Sequence, residues 1–285
     1  MKNQKEITIL SPEEFRRMQL VQLEMLVELD RVCRENDIKY SVFCGTLLGA
    51  VRHKGYIPWD DDADVVMLRE EYDKFKKVCA EGKLNKDICF FQDHDTDPEY
   101  RWGYGKLRRT GTKFVRVGQE HLKCKTGVFI DIFPLDDVPK SLLGQRVQDI
   151  YCYCLRKILW SEVGKYQAEN PLKRAWFSVL SKIPADFVYK LVNKMTAKSR
   201  NKNPNRVRVL LFPATGMLYM KHRPEIRYGM PKKWFLQLAE YEFEGHTFYG
   251  TKKYDSILRY TYGDYMKLPP VEEREPHSPV CEYYF

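Results

Sequence analysis

Residues 45–65 read GTLLGAVRHKGYIPWDDDADV, a stretch that gathers four aspartates behind a Gly-Thr pair and a basic triplet. Successive side chains of a β-strand point to opposite faces of the sheet. A strand here would place Asp60, Asp62 and Asp64 on one face and turn Asp61 away. Crowded carboxylates resist ionisation unless a cation binds them, and divalent metals take oxygen ligands. The stretch therefore predicts a metal site, with an acidic surface loop as the alternative.

A second stretch supplies a further carboxylate. Residues 127–135 read GVFIDIFPL, so Asp131 stands alone among aliphatic and aromatic residues. A buried aspartate is costly unless it is paired or bound to metal, although an aspartate at a strand end can also cap a turn. We expect Asp131 on a strand beside Asp62 and Asp64, where three carboxylates would hold one or two Mg²⁺ ions, with Mn²⁺ as an alternative.

These two stretches resemble the LicD family of phosphocholine transferases, relatives of fukutin-related protein within the nucleotidyltransferase superfamily. The family pattern is a Gly-Ser or similar pair, then Asp-apolar-Asp-apolar, then a carboxylate in an apolar strand. It reads here as Gly45-Thr46, Asp62-Ala63-Asp64-Val65 and Asp131. The resemblance covers residues 15–138 and 234–277 and is weakest between them. It implies a nucleotidyltransferase-like fold with a metal on Asp62, Asp64 and Asp131.

The resemblance also implies a reaction. Phosphocholine would pass from CDP-choline to a hydroxyl of a glycan or lipid-linked glycan acceptor in teichoic acid, lipopolysaccharide or capsule synthesis. Asp131 or Asp60 would accept the hydroxyl proton, because a general base must lie within hydrogen-bond reach of it. Two alternatives remain: a related enzyme that uses CDP-glycerol or CDP-ribitol, and a non-catalytic glycan- or membrane-binding module.

Several other side chains are candidates for substrate binding. The backbone at Gly45 and Thr46 suits a phosphate, because a helix start offers free N–H groups. The basic triplet of Arg52, His53 and Lys54 could engage a nucleotide diphosphate, most strongly through the Arg52 guanidinium. Candidates further along the chain are Lys106 and Arg108 on a predicted strand, Trp59 and Trp102 for a trimethylammonium group, and His277, which the resemblance places near the active site.

Composition describes the surroundings of this site. The chain has 285 residues, 44% of them apolar, enough for one sizeable core or a core with an inserted subdomain. Its first residues are rich in Lys and Glu, so no signal sequence is expected. The eight cysteines include no Cys-x-x-Cys pair, which favours a reducing, cytoplasmic compartment.

The middle of the chain is strongly basic. Residues 140–235 contain 20 Lys or Arg against 5 Asp or Glu. Apolar residues at helical spacing alternate there with cations, a pattern that suits the anionic inner face of the plasma membrane. An ordinary helical subdomain with a solvated basic face is the alternative. Nucleic acid is disfavoured as a partner, since no zinc finger, RNA-recognition signature or basic repeat is present.

The pattern of elements predicts an α/β or α+β fold with a mixed sheet, flanking helices and a helical insertion. Residues 1–138 would form the catalytic core, 139–233 the insertion, and 234–285 a return to the core. The expected helices cover 12–35, 47–52, 70–79, 142–160, 172–197 with a break near Pro184, and 254–262. The expected strands cover 39–44, 63–68, 88–92, 101–109, 113–117, 128–133 and 243–249.

Overall fold

The structure is a computed structural model that describes residues 7–200, 205–213, 228–276 and 279–285. Its first helix, α1 (Pro12–Glu35), has the predicted bounds and begins at a capping box. The Ser11 hydroxyl accepts from the Glu14 amide, and the Glu14 carboxylate accepts from the Ser11 amide. Both bonds satisfy backbone donors that a helix start leaves free. The helix buries an apolar stripe made of Met18, Met25, Leu26, Leu29 and Val32.

A mixed sheet lies against α1. The strands in this part of the chain are β1 (Ser41–Val42), β2 (Asp64–Leu68), β3 (Cys89–Gln92), β4 (Gly105–Arg109), β5 (Lys113–Arg116) and β6 (Phe129–Asp137). Five of them form the sheet, in the order β1-β2-β6-β4-β3. The central pair β2–β6 is parallel, and the other pairs are antiparallel. The expected mixed α/β architecture is therefore confirmed.

Two further helices belong to the core. Helix α2 (Cys44–Arg52) lies between β1 and β2 in the chain, and α3 (Arg69–Ala80) follows β2 and packs on β2 and β6. The Arg69 guanidinium binds both oxygens of the buried Asp136 carboxylate at 2.7 and 2.6 Å. This bidentate pair fixes the start of α3 against the end of β6.

The insertion consists of α4 (Leu142–Gln167), α5 (Pro171–Leu180) and α6 (Ala185–Arg200), with the predicted break before Ala185. These helices have an apolar cluster of their own, formed by Cys152, Leu155, Leu159, Ala185, Val188, Val192, Leu210 and Leu211. A short strand, β7 (Arg206–Arg208), then pairs with the end of β6, and β8 (Met230–Pro231) pairs with β7. No helix in the described residues combines the length and apolar character needed to cross a membrane.

The last part of the chain returns to the core. Strands β9 (Leu238–Phe243) and β10 (His246–Thr251) form a hairpin that packs on α2 and β1. Helix α7 (Tyr254–Tyr262) has the predicted bounds. The final strand, β11 (Val280–Tyr284), pairs with β5 in a separate two-stranded sheet.

The main differences from expectation concern four strands. The strand expected at 39–44 is only two residues long because α2 already begins at Cys44, so Gly45 and Thr46 lie inside this helix. The strand expected at 101–109 begins at Gly105, and the one expected at 113–117 leaves the main sheet for β11. The strand expected at 243–249 is a hairpin that turns at Glu244 and Gly245, both with positive φ. The predicted domain bounds stay a prediction.

Candidate active site

The site is built on three neighbouring strands. Asp64 on β2 lies opposite Asp131 on β6, and Asp131 lies opposite Lys106 on β4. Residues paired across a sheet project to the same face, so these side chains form one row. The Lys106 ammonium donates to Asp131 Oδ1, and the Asp131 amide donates to the Ala63 carbonyl at 2.8 Å. The predicted proximity of Asp64 and Asp131 is confirmed.

The remaining aspartates lie in a loop that approaches this row. One carboxylate oxygen from each of Asp62, Asp64 and Asp131 lies within 4.8 Å of the other two. Asp60, Asp61 and Asp62 form a second group of the same size, so Asp62 belongs to both. We call these five aspartates the carboxylate cluster.

The expectation that Asp60 and Asp62 project from a strand is wrong. The strand begins only at Asp64, because Ile57 to Asp60 form a turn in which the Asp60 amide donates to the Ile57 carbonyl at 2.9 Å. Proline at the second position favours such a turn. Asp61, expected to face away, lies beside Asp60 and Asp62. Both of its carboxylate oxygens are buried without a hydrogen-bond partner in the described chain.

The start of α2 supports the cluster from behind. The buried Thr46 hydroxyl accepts a hydrogen bond of 2.8 Å from the Asp64 amide, which fixes the first residue of β2. Gly45 lies against Asp60: a Cβ atom on Gly45 would stand 2.1 Å from Asp60 Oδ2. Glycine is therefore required there if the Asp60 carboxylate is to keep its position. A role of either residue in binding substrate stays a prediction.

Burial and mutual repulsion dominate the electrostatics of the cluster. Burial and the neighbouring carboxylates raise the pKa of Asp60 and Asp64 well above the usual range. The same causes raise the pKa of Asp62 to about 6. Burial lowers the pKa of Lys106 to about 7, although Asp131 opposes this shift. The cluster thus carries more negative charge than its immediate cations neutralise.

This arrangement fits a divalent cation. Hard cations such as Mg²⁺ prefer several carboxylate oxygens, and Asp62, Asp64 and Asp131 present three oxygens close enough to share one ion. The orphaned oxygens of Asp61 and the raised pKa of Asp62 and Asp64 show acidic groups that lack their counter-charge.

The basic triplet lies at the end of α2 opposite to Gly45 and Thr46, and the contacts described for its side chains are not with the aspartates of the cluster. Arg52 donates to the Tyr265 carbonyl at 2.6 Å and to His53 Nδ1 at 3.4 Å. Burial, with an opposing contribution from Tyr262, lowers the pKa of Arg52. Burial and Arg52 lower the pKa of His53, and Lys54 is exposed. Phosphate binding by the triplet stays a prediction.

Lys106 and Arg108 point to the same side of β4, as expected. Both cations contact the Phe129 ring, at 3.5 and 4.9 Å from its centroid. Arg108 is already held by Gln92 and by the Gly127 carbonyl, each at 2.7 Å. Arg108 is thus buried and links β4 to Gln92 and Gly127, whereas Lys106 contacts the cluster directly through Asp131.

The two tryptophans considered for a trimethylammonium group lie in different surroundings. Trp59 faces the Arg274 guanidinium, 5.3 Å from the ring centroid. Trp102 packs against Tyr100 at 5.1 Å and lines a cavity that Trp59 does not reach. A single cage containing both is therefore not formed by this structure. His277 lies outside the described residues.

Sequence reasoning missed several neighbours of the cluster. Cys44 has a positive φ of 44° at the start of α2, and burial followed by Asp64 raises the pKa of its thiol. Burial and Cys44 raise the pKa of the Tyr262 hydroxyl, with the cluster adding to the shift. Arg116 lies close enough to Asp62 to oppose the rise of its pKa. Tyr262 and Arg116 come from distant parts of the chain, so no local motif signals them, whereas Cys44 directly precedes Gly45.

A carboxylate row on a mixed sheet, beside a helix that starts with a Gly-Thr pair, defines a nucleotidyltransferase-type site. Comparisons with known proteins agree. Residues 37–152 match the family model described as LicD/FKTN/FKRP, nucleotidyltransferase domain. The chain is 30% identical over 270 residues to the lipopolysaccharide cholinephosphotransferase LicD of Haemophilus influenzae, which covers 92% of this chain and 95% of that protein. The chain therefore belongs to the LicD family and is a transferase enzyme.

A more distant relative is uncharacterized. It is a protein of Rickettsia prowazekii that is 26% identical over 149 residues, about half of each chain. A second uncharacterized protein, from Rickettsia typhi, is 39% identical over 60 residues, 21% of this chain.

The first test concerns charge repulsion at Asp62. Its pKa is about 6 in the folded protein against 3.8 when unperturbed, so the folded state binds this proton more tightly than the unfolded state. The free energy of unfolding attributable to Asp62 therefore falls as pH rises from about 4 to about 6. In EDTA at pH 7.5, we expect Asp62→Asn to melt at least about 2 °C above the wild type, the shift that ~1 kcal/mol gives in a chain of this size.

The same measurement reports on the metal. At pH 4 the two proteins should melt together, and Mg²⁺ at pH 7.5 should raise the melting temperature of the wild type more than that of Asp62→Asn. Equal melting temperatures of the wild type and Asp62→Asn at both pH values, with and without Mg²⁺, would contradict both the charge repulsion at Asp62 and its role in binding metal.

The second test concerns the hydroxyl of Thr46. Thr46→Val keeps the shape of the side chain but removes the acceptor of the buried Asp64 amide. An unsatisfied buried donor costs about 1–3 kcal/mol, and we expect that loss in the free energy of unfolding by urea. Thr46→Ser retains the acceptor and serves as the matched control. Equal stability of the Val and Ser variants would show that the bond does not hold β2 in place.

Proposed function

We propose that this enzyme transfers phosphocholine from CDP-choline to a hydroxyl group of lipopolysaccharide, with a divalent metal bound by the cluster. One observation carries the proposal: a relative named as a lipopolysaccharide cholinephosphotransferase aligns with 92% of the chain. The matched family domain, residues 37–152, contains every aspartate of the cluster as well as Lys106. Teichoic acid and capsule precursors are other acceptors that the family resemblance allows.

The cluster assigns roles to individual residues. Asp62, Asp64 and Asp131 would hold Mg²⁺, which when bound supplies positive charge to phosphate oxygens. Lys106 keeps Asp131 in place through their ion pair. Arg52 ends α2, and Arg274 is close enough to influence its charge; these two cations would bind the donor diphosphate. The phosphorus of the bound donor would then face the cluster.

Asp60 is the preferred general base. Its pKa is raised by burial and by Asp62, which makes it a better proton acceptor, whereas Asp131 is engaged by Lys106. The acceptor oxygen forms a new bond to the phosphorus of phosphocholine while the bond from that phosphorus to CMP breaks. CMP leaves with the electron pair, and the proton of the hydroxyl passes to Asp60.

A donor screen tests the reaction. Purified protein is incubated with Mg²⁺, lipopolysaccharide and one of CDP-choline, CDP-glycerol or CDP-ribitol, and both CMP and labelled product are measured. We expect CMP and modified lipopolysaccharide with CDP-choline. Asp64→Asn should lower the rate more than roughly 100-fold. Loss of a residue that only supports a metal ligand costs up to about 100-fold, and loss of a ligand itself should cost more. Asp87→Asn, on an exposed residue, is the matched control.

Two outcomes of the donor screen would change the proposal. Product formed only from CDP-glycerol or CDP-ribitol would replace the donor and keep the site. An unchanged rate in EDTA or in Asp64→Asn would contradict the metal assignment.

The insertion supports a membrane-surface location as part of this proposal. On α4, Leu143, Val147 and Ile150 are exposed at i, i+4 and i+7, so they lie on one face. On α5, Leu172, Trp176 and Val179 form a second exposed stripe. Lysines and arginines flank both stripes. Apolar side chains beside cations are typical of helices that lie on an anionic bilayer.

Vesicle sedimentation tests this location. We expect the protein to sediment with vesicles of phosphatidylglycerol and phosphatidylcholine at low salt, and much less with phosphatidylcholine alone. The double variant Leu143→Gln/Val147→Gln should bind at least about tenfold more weakly, because each buried apolar side chain contributes roughly 1.5–3 kcal/mol. Leu236→Gln, an equally exposed change outside the insertion, is the control. If binding changes neither with lipid charge nor in the double variant, the exposed apolar stripe of α4 has no role in membrane binding.

A further inference from the structure

A cavity of about 330 Å³ lies between the insertion and the core. Its wall combines residues of α4 with the segment before β4, the end of β5 and the segment after β7. Four cations line it, namely Arg101, Arg116, Arg156 and Lys157. Aromatic rings complete the wall, namely Trp102, Tyr104, Trp160 and Phe212. No acidic side chain is among the lining residues of the described chain, so the cavity is a concentrated positive surface.

The cations of this cavity lack full compensation. The Arg116 Nε and one terminal nitrogen of Arg101 are buried without a hydrogen-bond partner in the described residues. Arg116 and Lys157 form no ion pair with any described residue, and the Arg101 guanidinium reaches Glu162 only at 4.0 Å. Burial and neighbouring cations lower the pKa of Lys157. Buried polar and charged groups are normally paired, so this set is suited to an incoming anion.

The cavity adjoins the carboxylate cluster. Arg116 is near enough to Asp62 to influence its pKa. Tyr104 packs on Phe133 at 4.5 Å, two residues after Asp131, and its ring lies 5.4 Å from the Lys106 ammonium. None of the α2 residues lines the cavity. The cluster is therefore bordered by α2, whose last residue is assigned above to the donor, and by this second surface.

We propose that the cavity binds a phosphate-bearing saccharide of the acceptor. Arg101 and Arg116, which carry the unpartnered nitrogens, take the phosphate together with Arg156 and Lys157. Trp102 and Trp160 offer flat apolar faces to the sugar rings. This inference rests on the proposed function, because a transferase must hold two substrates beside one reaction centre. The phosphates of the donor carry the same chemistry, and the experiment separates the two sources.

The test compares Arg156→Gln and Lys157→Gln with Lys194→Gln, a matched change on an exposed cation of α6. The acceptor probe is deacylated lipopolysaccharide oligosaccharide, used before and after enzymatic removal of its phosphates. We expect the KM for the phosphorylated oligosaccharide to rise at least about tenfold in both cavity variants. The KM for CDP-choline should stay unchanged, and dephosphorylation should abolish the difference from the wild type.

Binding of the same oligosaccharides by calorimetry, without donor, provides a second readout that does not depend on turnover. Weakened binding in the cavity variants alone supports the inference. A raised KM for CDP-choline would assign the cavity to the donor, and unchanged binding in both variants would show that it takes neither. If the wild type transfers nothing from any donor, the proposed function fails, while calorimetry still decides whether the cavity binds the phosphorylated saccharide.

Discussion

The repulsion among buried aspartates is the constraint on which the rest of this structure depends. Asp64 and Asp131 face each other across the parallel pair β2–β6, an arrangement that a free chain would avoid. The strands hold it because their other side chains, such as Val65, Ile130 and Ile132, are fully buried. A slip of one residue would turn each carboxylate to the opposite face and the aliphatic residues with it. The hydrophobic core thus stabilises a register that concentrates charge.

The cations around the cluster compensate only part of this charge. Lys106 pairs with Asp131, yet burial lowers its pKa to about 7, so even this counter-charge is held at a cost. Positioning is stricter than neutralisation: Thr46 binds the Asp64 amide, and Gly45 makes room for Asp60. A fold that fixes acidic groups firmly and neutralises them incompletely is prepared for an added cation.

The sequence predicts those parts of the site that local patterns determine. A lone aspartate in an apolar run predicted Asp131 as a site residue, and the pattern of elements predicted the bounds of α1 and α7. The strand periodicity was wrong at Asp60 to Asp62 because residues 57–60 form a turn and β2 begins only at Asp64. The same residues fit both a turn and a strand pattern, so the sequence alone does not separate the two. Tyr262 and Arg116 reach the cluster only through tertiary packing. No spacing within the chain connects them to the aspartates.

Helix α4 connects the two surfaces proposed for the insertion. Its first half exposes Leu143 and Val147, and its second half presents Arg156, Lys157 and Trp160 to the cavity. From Leu143 to Lys157 the helix rises roughly 20 Å, at 1.5 Å per residue. A bilayer bound at the first half would place the polar part of an embedded glycolipid near the second half. The distance suits an acceptor whose saccharide, rather than its lipid, enters the cavity and presents its hydroxyl to the cluster. Under the proposed function, the basic insertion would bring the acceptor to the carboxylate cluster, and its cations would meet phosphate on both surfaces.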